Sequence, residues 1–153
     1  MQLDRTERVM LQVRHTGGGI SWVELGDGGC RAVSRCFRRV KRLEESGLIQ
    51  GYAARLDQRQ LGLQVTAFVQ VSLDQQDDRK QRDFLTRVEA EEHIVECHAM
   101  SGSHDFLLKV LAYSMDHFSE LSMQRILKFP GVKNMESNFS LMAIKQSAAM
   151  PVR

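Results

Sequence analysis

The sequence predicts an α+β protein. An N-terminal three-helix, helix-turn-helix (winged-helix-like) domain is joined by a strand to a C-terminal ferredoxin-like βαββαβ domain. Three observations carry this reading. Short helical stripes punctuated by glycine clusters fill residues 1–47. Strict alternation of apolar and polar residues marks a strand from Gln64 to Leu73. Beyond it the apolar patterning runs strand, helix, strand, strand, helix, strand, the order of a split βαβ unit. The expected boundaries are 1–47 for the helical domain, 48–63 for a strand linker and 64–153 for the sheet domain.

Residues 3–14, LDRTERVMLQVR, read as a helix that buries Met10 and Val13, with Leu3 leading in. Gly17, Gly18 and Gly19 stop it, because ordering successive glycines costs backbone entropy. Ser21 as N-cap and Glu24 three residues later form a capping box, which starts a second helix near Trp22. Gly26, Gly28 and Gly29 keep that helix short, each costing about 1 kcal/mol relative to Ala. The third helix opens the stretch VSRCFRRVKRLEESGLIQGYAARLD, Val33 to Asp57. Val33, Phe37, Val40 and Leu43 lie on one helical stripe, while Ser34, Arg35, Arg38, Arg39, Lys41 and Arg42 fill the other positions. A helix of about 14 residues is about 20 Å long, a fit for a DNA major groove. Gly47 suits the C′ position that ends it, and Leu48 to Tyr52 has strand chemistry.

In the second half, Val65, Ala67, Val69, Val71 and Leu73 share one face of the first strand, and Gln64, Thr66, Gln70 and Ser72 share the other. Asp77 or Asp78 can cap a helix over 79–90 with Phe84, Leu85 and Val88 turned inward. His93 to Met100 is strand-like and Ser101 to His104 forms a turn. Asp105 to Ala112 is a strand apolar on both sides, hence central. Ser114 caps a helix over residues 115–128 that buries Phe118, Leu121 and Ile126. Pro130 and Gly131 end it, and Asn134 to Lys145 is a long final strand. Helices cover one sheet face. The other is expected to show Phe68, Phe106, Leu108, Met142 and Ile144, or their neighbours if the register slips by one. That face is too apolar to leave wet, so a second copy should cover it and make a homodimer.

Charge is distributed unevenly. The net value is +2, but residues 1–60 carry 11 Lys/Arg against 7 Asp/Glu, whereas residues 61–153 carry 10 against 12. A basic first portion suits a module that binds a polyanion. With 42% hydrophobic and 26% charged residues, the composition is that of an ordinary globular chain. No apolar run approaches the roughly 20 residues of a membrane span, and MQLDRTER has no signal-peptide core. Cys30, Cys36 and Cys97 are odd in number and scattered, which argues against a disulfide framework and for a reducing cytoplasm. Strand alternation puts His93 and Cys97 on one face and His98 on the other, so the three cannot converge on a metal. The chain carries no Walker-type phosphate loop, HExxH or nucleophile elbow. No cofactor is expected.

The segments LDRTERVML, ISWVEL, RRVKRLEESGLIQGYAARLD, AFVQVSL, ECHAMSGSHDFLLKV and FPGVKNMESNFSLMAIK follow one another in an order and spacing that resembles the Lrp/AsnC (feast/famine) transcription regulators. The likeness covers almost the full length. Its most specific part is R-L-E-x-x-G-x-I-x-G-Y followed by S-G-x-x-D-[FY]-L. The resemblance implies a helix-turn-helix that binds double-stranded DNA sequence-specifically. It also implies a C-terminal domain that senses an amino acid or related small molecule, dimers formed through the sheets, and larger assemblies, an octamer being expected. Ser34, Arg35, Arg38, Arg39, Lys41 and Arg42 are the candidate DNA contacts, with Arg31 and Lys41 placed on phosphates; for Arg39 the resemblance leaves packing or an internal ion pair as the alternative. The S-G-x-x-D turn carries the effector site onto Ser101, Gly102 and Asp105, with Ser103 and His104 between them, Met100 beside them and Ser137 a further match on the last strand. Gly102 would permit close backbone approach, and Asp105 could meet a ligand ammonium. Alternatively both residues make the turn itself.

Some positions depart from the family pattern. GDGGCRAVS replaces a helix end with a V-G-L-S-like turn, Gly17-Gly18-Gly19 replaces D-G-R, and Arg14 stands where an apolar residue is usual. Two other readings therefore stay open. One is a DNA-inactive sensing partner with a degenerate helix-turn-helix. The other is an enzyme similar to the siroheme decarboxylases, although their Y-x-R-x-H and H-x-L-N-M-W-like patterns are missing, and a non-enzyme is expected.

Overall fold

The computed structural model describes residues 3–16, 33–74, 77–147 and 150–152. The chain forms two compact units, Met1–Arg55 with Ile144–Arg153, and Leu56–Ala143. The expected capping box Ser21/Glu24, the helix from Trp22, the glycines from Gly17 to Gly29, Cys30 and Arg31 lie outside the described residues. So do the side chains of Val13, Arg14 and Val33.

The first unit contains α1 (Arg5–Thr16) and α2 (Val33–Glu45). Asp4 and Glu7 start α1 as a capping box. The Asp4 N–H donates to Glu7 Oε2 at 3.0 Å, and the Glu7 N–H donates to Asp4 Oδ1 at 2.8 Å. The helix runs two residues beyond the expected end, through His15 and Thr16, because nothing before Gly17 stops it. Met10, Cys36 and Val40 form the core of this unit, with Ile49 packed against them. The buried stripe of α2 is thus Cys36, Val40 and Leu43, not the expected stripe through Phe37, which is 52% exposed. Positions 36, 40 and 43 follow the i, i+4, i+7 rule, and Phe37 lies about 100° round from Cys36. Cys36 is disulfide-bonded, which corrects the expectation that scattered cysteines form no disulfide, whereas Cys97 is a free thiol. Gly47, at φ 75°, ends α2 in the left-handed region, and the Ile49 N–H closes on the Leu43 carbonyl at 3.1 Å. The expected strand over 48–63 does not form: residues 50–57 pair with no described strand, and 58–62 make turns. Strand chemistry without a neighbouring ladder leaves only extended chain.

The second unit is a four-stranded antiparallel sheet of β1 (Val65–Leu73), β2 (Ile94–Ala99), β3 (Phe106–Ala112) and β4 (Val132–Phe139), ordered β2-β3-β1-β4. α3 (Asp78–Ala90) is capped by Asp77 and α4 (Met115–Glu120) by Ser114. A π turn at Leu121–Arg125 and a 3₁₀ turn at Ile126–Lys128 continue α4. The π turn widens the spacing so that Leu121 and Ile126, five apart, both reach the core, while Arg125 turns out to bond Glu91 at 2.8 Å. Ala67, Val69 and Val71 of β1 and Phe106, Leu108, Val110 and Ala112 of β3 pack with Phe84, Val88 and Phe118 of the helices.

Three expectations need correction here. Leu85 is 40% exposed, so α3 buries only Phe84 and Val88. Phe106 and Leu108 face the helices, and the open face shows their half-buried neighbours Leu107 and Leu111 beside Phe68. The final strand stops at Phe139, because β1, its only ladder neighbour, begins at Val65; the last bond runs from the Ser140 N–H to the Thr66 carbonyl. Met142 and Ile144 therefore lie past the sheet and are exposed.

Candidate functional site

Two groups of side chains stand out, one on each unit. On α2, Ser34, Arg35, Arg38 and Lys41 are exposed. Among the described residues Arg35 and Arg38 make no ion pair, and Lys41 makes only the solvent-facing i,i+4 pair with Glu45 at 3.7 Å. Arg39 and Arg42 behave differently. Arg39 pairs with Asp4 and Arg42 with Glu7, both on the N-terminal turn of α1. The six expected DNA contacts therefore divide into four open positions and two cations committed to α1. The Asp4 carboxyl is held below its ordinary range, first by the Glu7 N–H and next by Arg39.

The second group is the turn between β2 and β3. The Met100 N–H donates to the Asp105 carbonyl at 2.9 Å, and the Asp105 N–H donates to the Val71 carbonyl at 3.0 Å. Asp105 Oδ2 accepts the Leu73 N–H at 2.7 Å, which fastens the turn to β1. One carboxylate oxygen thus has a structural role, and the other bonds nothing among the described residues. Ser101, Gly102, Ser103 and His104 make no main-chain N–H bond there either, and the first three are exposed. Gly102 is not in the left-handed region, and a Cβ added to it would meet nothing within 4 Å. Its glycine is therefore not demanded by the turn, and the backbone is open to approach from outside. The Met100 side chain is exposed beside it.

His104 crosses to the neighbouring strands. Its Nδ1 lies 3.2 Å from Ser72 Oγ on β1, and its Nε2 lies 3.9 Å from Glu136 Oε2 on β4. Ser72 and Glu136 were not among the expected residues. The alternation of β1 already put Ser72 on the open face, but only the register of β4, with Glu136 opposite Gln70, brings Glu136 there. Ser137 is not brought to this group. It pairs with Val69 and so belongs to the helix-covered face.

On the same open face, Glu96 of β2 bonds His98 and Lys109, each at 3.2 Å. These contacts hold its carboxyl low, His98 contributing more than Lys109. Burial pushes the Cys97 thiol up. His93 is engaged elsewhere, its Nδ1 lying 2.7 Å from the Leu111 carbonyl. No described helix is long and apolar enough to cross a membrane.

Known proteins resemble this chain along almost its whole length. Residues 66–150 match the Lrp/AsnC ligand binding domain. The leucine-responsive regulatory protein of Escherichia coli (strain K12) is 34% identical over 151 residues, covering 99% of this chain and 92% of that protein. A transcriptional regulator from Neisseria meningitidis, solved as an L-methionine complex, superposes with a TM-score of 0.94 at 33% identity, covering 98% of this chain and 97% of the other. The feast or famine regulatory protein of Mycobacterium tuberculosis, also complexed with L-methionine, gives 0.85 at 28% identity over 95% and 96% of the two chains.

Proposed function

The chain belongs to the Lrp/AsnC family of transcriptional regulators, and we propose that it binds double-stranded DNA sequence-specifically through α2 and responds to an amino acid held at the 100–105 turn. The observation that carries the DNA half is the exposure of Arg35 and Arg38, without ion-pair partners among the described residues, on a helix whose Arg39 and Arg42 are committed to α1. Such cations meet phosphates or base edges, while Ser34 and Lys41 suit backbone contacts. Arg39 and Arg42 hold the helix in place.

The effector half rests on the turn's chemistry. An α-carboxylate can take the main-chain N–H groups of Ser101 to His104. The ammonium can take the free oxygen of Asp105, and Met100 can line the side chain. The methionine complexes of the Neisseria and Mycobacterium relatives support an amino acid as the class to try first. The open sheet face, with Phe68, Leu107 and Leu111, is covered by a second copy. Dimers then build the larger assembly, up to an octamer, whose state the effector biases. Regulation of DNA in the cytoplasm, rather than catalysis, is the role this supports.

A melting-temperature screen across the L-amino acids tests the effector half. Ligand at about 100 times its Kd stabilises a single site by about 2.7 kcal/mol, a shift of several degrees. A shift confined to one chemical group of amino acids supports the reading. No shift for any of them removes the effector half.

A further inference from the structure

We infer that His104 makes effector binding at this turn proton-linked, so that the turn takes up a proton as it takes up a carboxylate. The inference rests on the effector reading above. His104 contributes one of the four uncommitted main-chain N–H groups, and its ring bridges β1 and β4 beside them. From β1 the ring meets neutral Ser72. From β4 it meets Glu136, and its own turn supplies Asp105. Among the described residues no lysine or arginine forms an ion pair with Glu136 or Asp105, and the charged group the ring meets is the Glu136 carboxylate.

Ser72 suits either charge state of the ring, because a hydroxyl can donate to neutral Nδ1 or accept from a protonated one. With Asp105 taken up by the ligand ammonium, a neutral imidazole leaves the Glu136 anion beside the ring without a cation, opposing the incoming carboxylate. An imidazolium pairs with Glu136 and places a cation next to the four N–H groups, which strengthens their hold on the carboxylate. Carboxylate binding therefore draws a proton onto His104, and by reciprocity lower pH tightens binding.

The test is calorimetric titration of the full-length protein with L-methionine at pH 6, 7 and 8, repeated in buffers of different ionisation enthalpy to count protons. For wild type we expect proton uptake on binding and an affinity about fivefold tighter at pH 6 than at pH 8. His104→Gln should bind with a flat pH profile and no uptake, which also controls for titration of the ligand itself. Glu136→Gln should keep the dependence but move it to lower pH, and it answers the question should the His104 variant not fold. Binding by wild type without pH dependence, or an identical profile in His104→Gln, overturns the inference and leaves the effector reading standing. If neither L-methionine nor any other L-amino acid binds wild type at any of the three pH values, the effector reading fails and the inference with it.

Discussion

Arg42 on α2 is ion-paired with Glu7 on α1, a carboxylate only 1% exposed, although the arginine itself remains 59% exposed. A buried carboxylate without its cation is costly, so this pair fixes how the basic helix sits on its neighbour. Arg42→Ala should destabilise the protein by about 3 kcal/mol, the low end for a broken buried pair because Arg42 is partly solvated. Adding Glu7→Gln to Arg42→Ala should recover part of that loss. Urea denaturation of the single and double variants checks this; equal stability of all three would mean that the pair holds nothing.

Asp105 separates a structural from a binding role. Asp105→Asn retains an oxygen to accept the Leu73 N–H but removes the charge offered to an ammonium. It should therefore melt close to wild type and lose at least tenfold in amino-acid affinity, as expected for a lost charge-assisted bond. Asp105→Ala should also lose about 1–3 kcal/mol of stability from the unsatisfied N–H. Unchanged affinity in Asp105→Asn would leave the carboxylate with its turn-fastening role alone.

Acid should act late at two places. The carboxyls of Asp4 and Glu96 are both held low, Asp4 chiefly by the Glu7 N–H and then Arg39, Glu96 chiefly by His98 and then Lys109. A carboxyl depressed in the folded state stabilises the fold above its unfolded pKa, and that contribution is lost only as pH falls through the lower folded value. Side-chain carboxyl NMR titrations should place both below the ordinary carboxylate range. Titration of Asp4 at its ordinary value would contradict the geometry at the start of α1.

The open sheet face predicts self-association. A charge placed among Phe68, Leu107 and Leu111 would be buried unpaired in a sheet-to-sheet contact. Leu107→Asp should thus yield a folded monomer, measured by light scattering beside circular dichroism. A wild type that self-associates and a variant that does so equally would assign assembly to another surface.

Much of this was legible in sequence because period-two and period-3.6 patterns are local. The inward face of β1, the caps at Asp77 and Ser114 and the C′ glycine at Gly47 all depend on residues near one another in the chain. What was missed depends on partners far away. An internal ion pair was open for Arg39, but its partner Asp4, and the pairing of Arg42 with Glu7, depend on the approach of α2 to α1. The π turn at Leu121–Arg125 shifts the phase of a helix whose pattern alone looks regular. Where β4 ends is set by where β1 begins, so Met142 and Ile144 looked like strand although no ladder awaited them. At the turn, S-G-x-x-D was visible, but its joining to Ser72 and Glu136 needed the sheet register.

In the proposed regulator α2 meets DNA through Arg35 and Arg38. The most direct measurement is the affinity for labelled duplex DNA at several salt concentrations, in nucleic-acid-free wild type and in the Arg35→Ala/Arg38→Ala double variant. If both arginines meet phosphates, wild-type binding should weaken steeply with salt, and the double variant should bind more weakly with a log–log slope shallower by about 2 for each protomer on the DNA. No binding by wild type at low salt, or equal affinity and slope in the two proteins, would contradict the account.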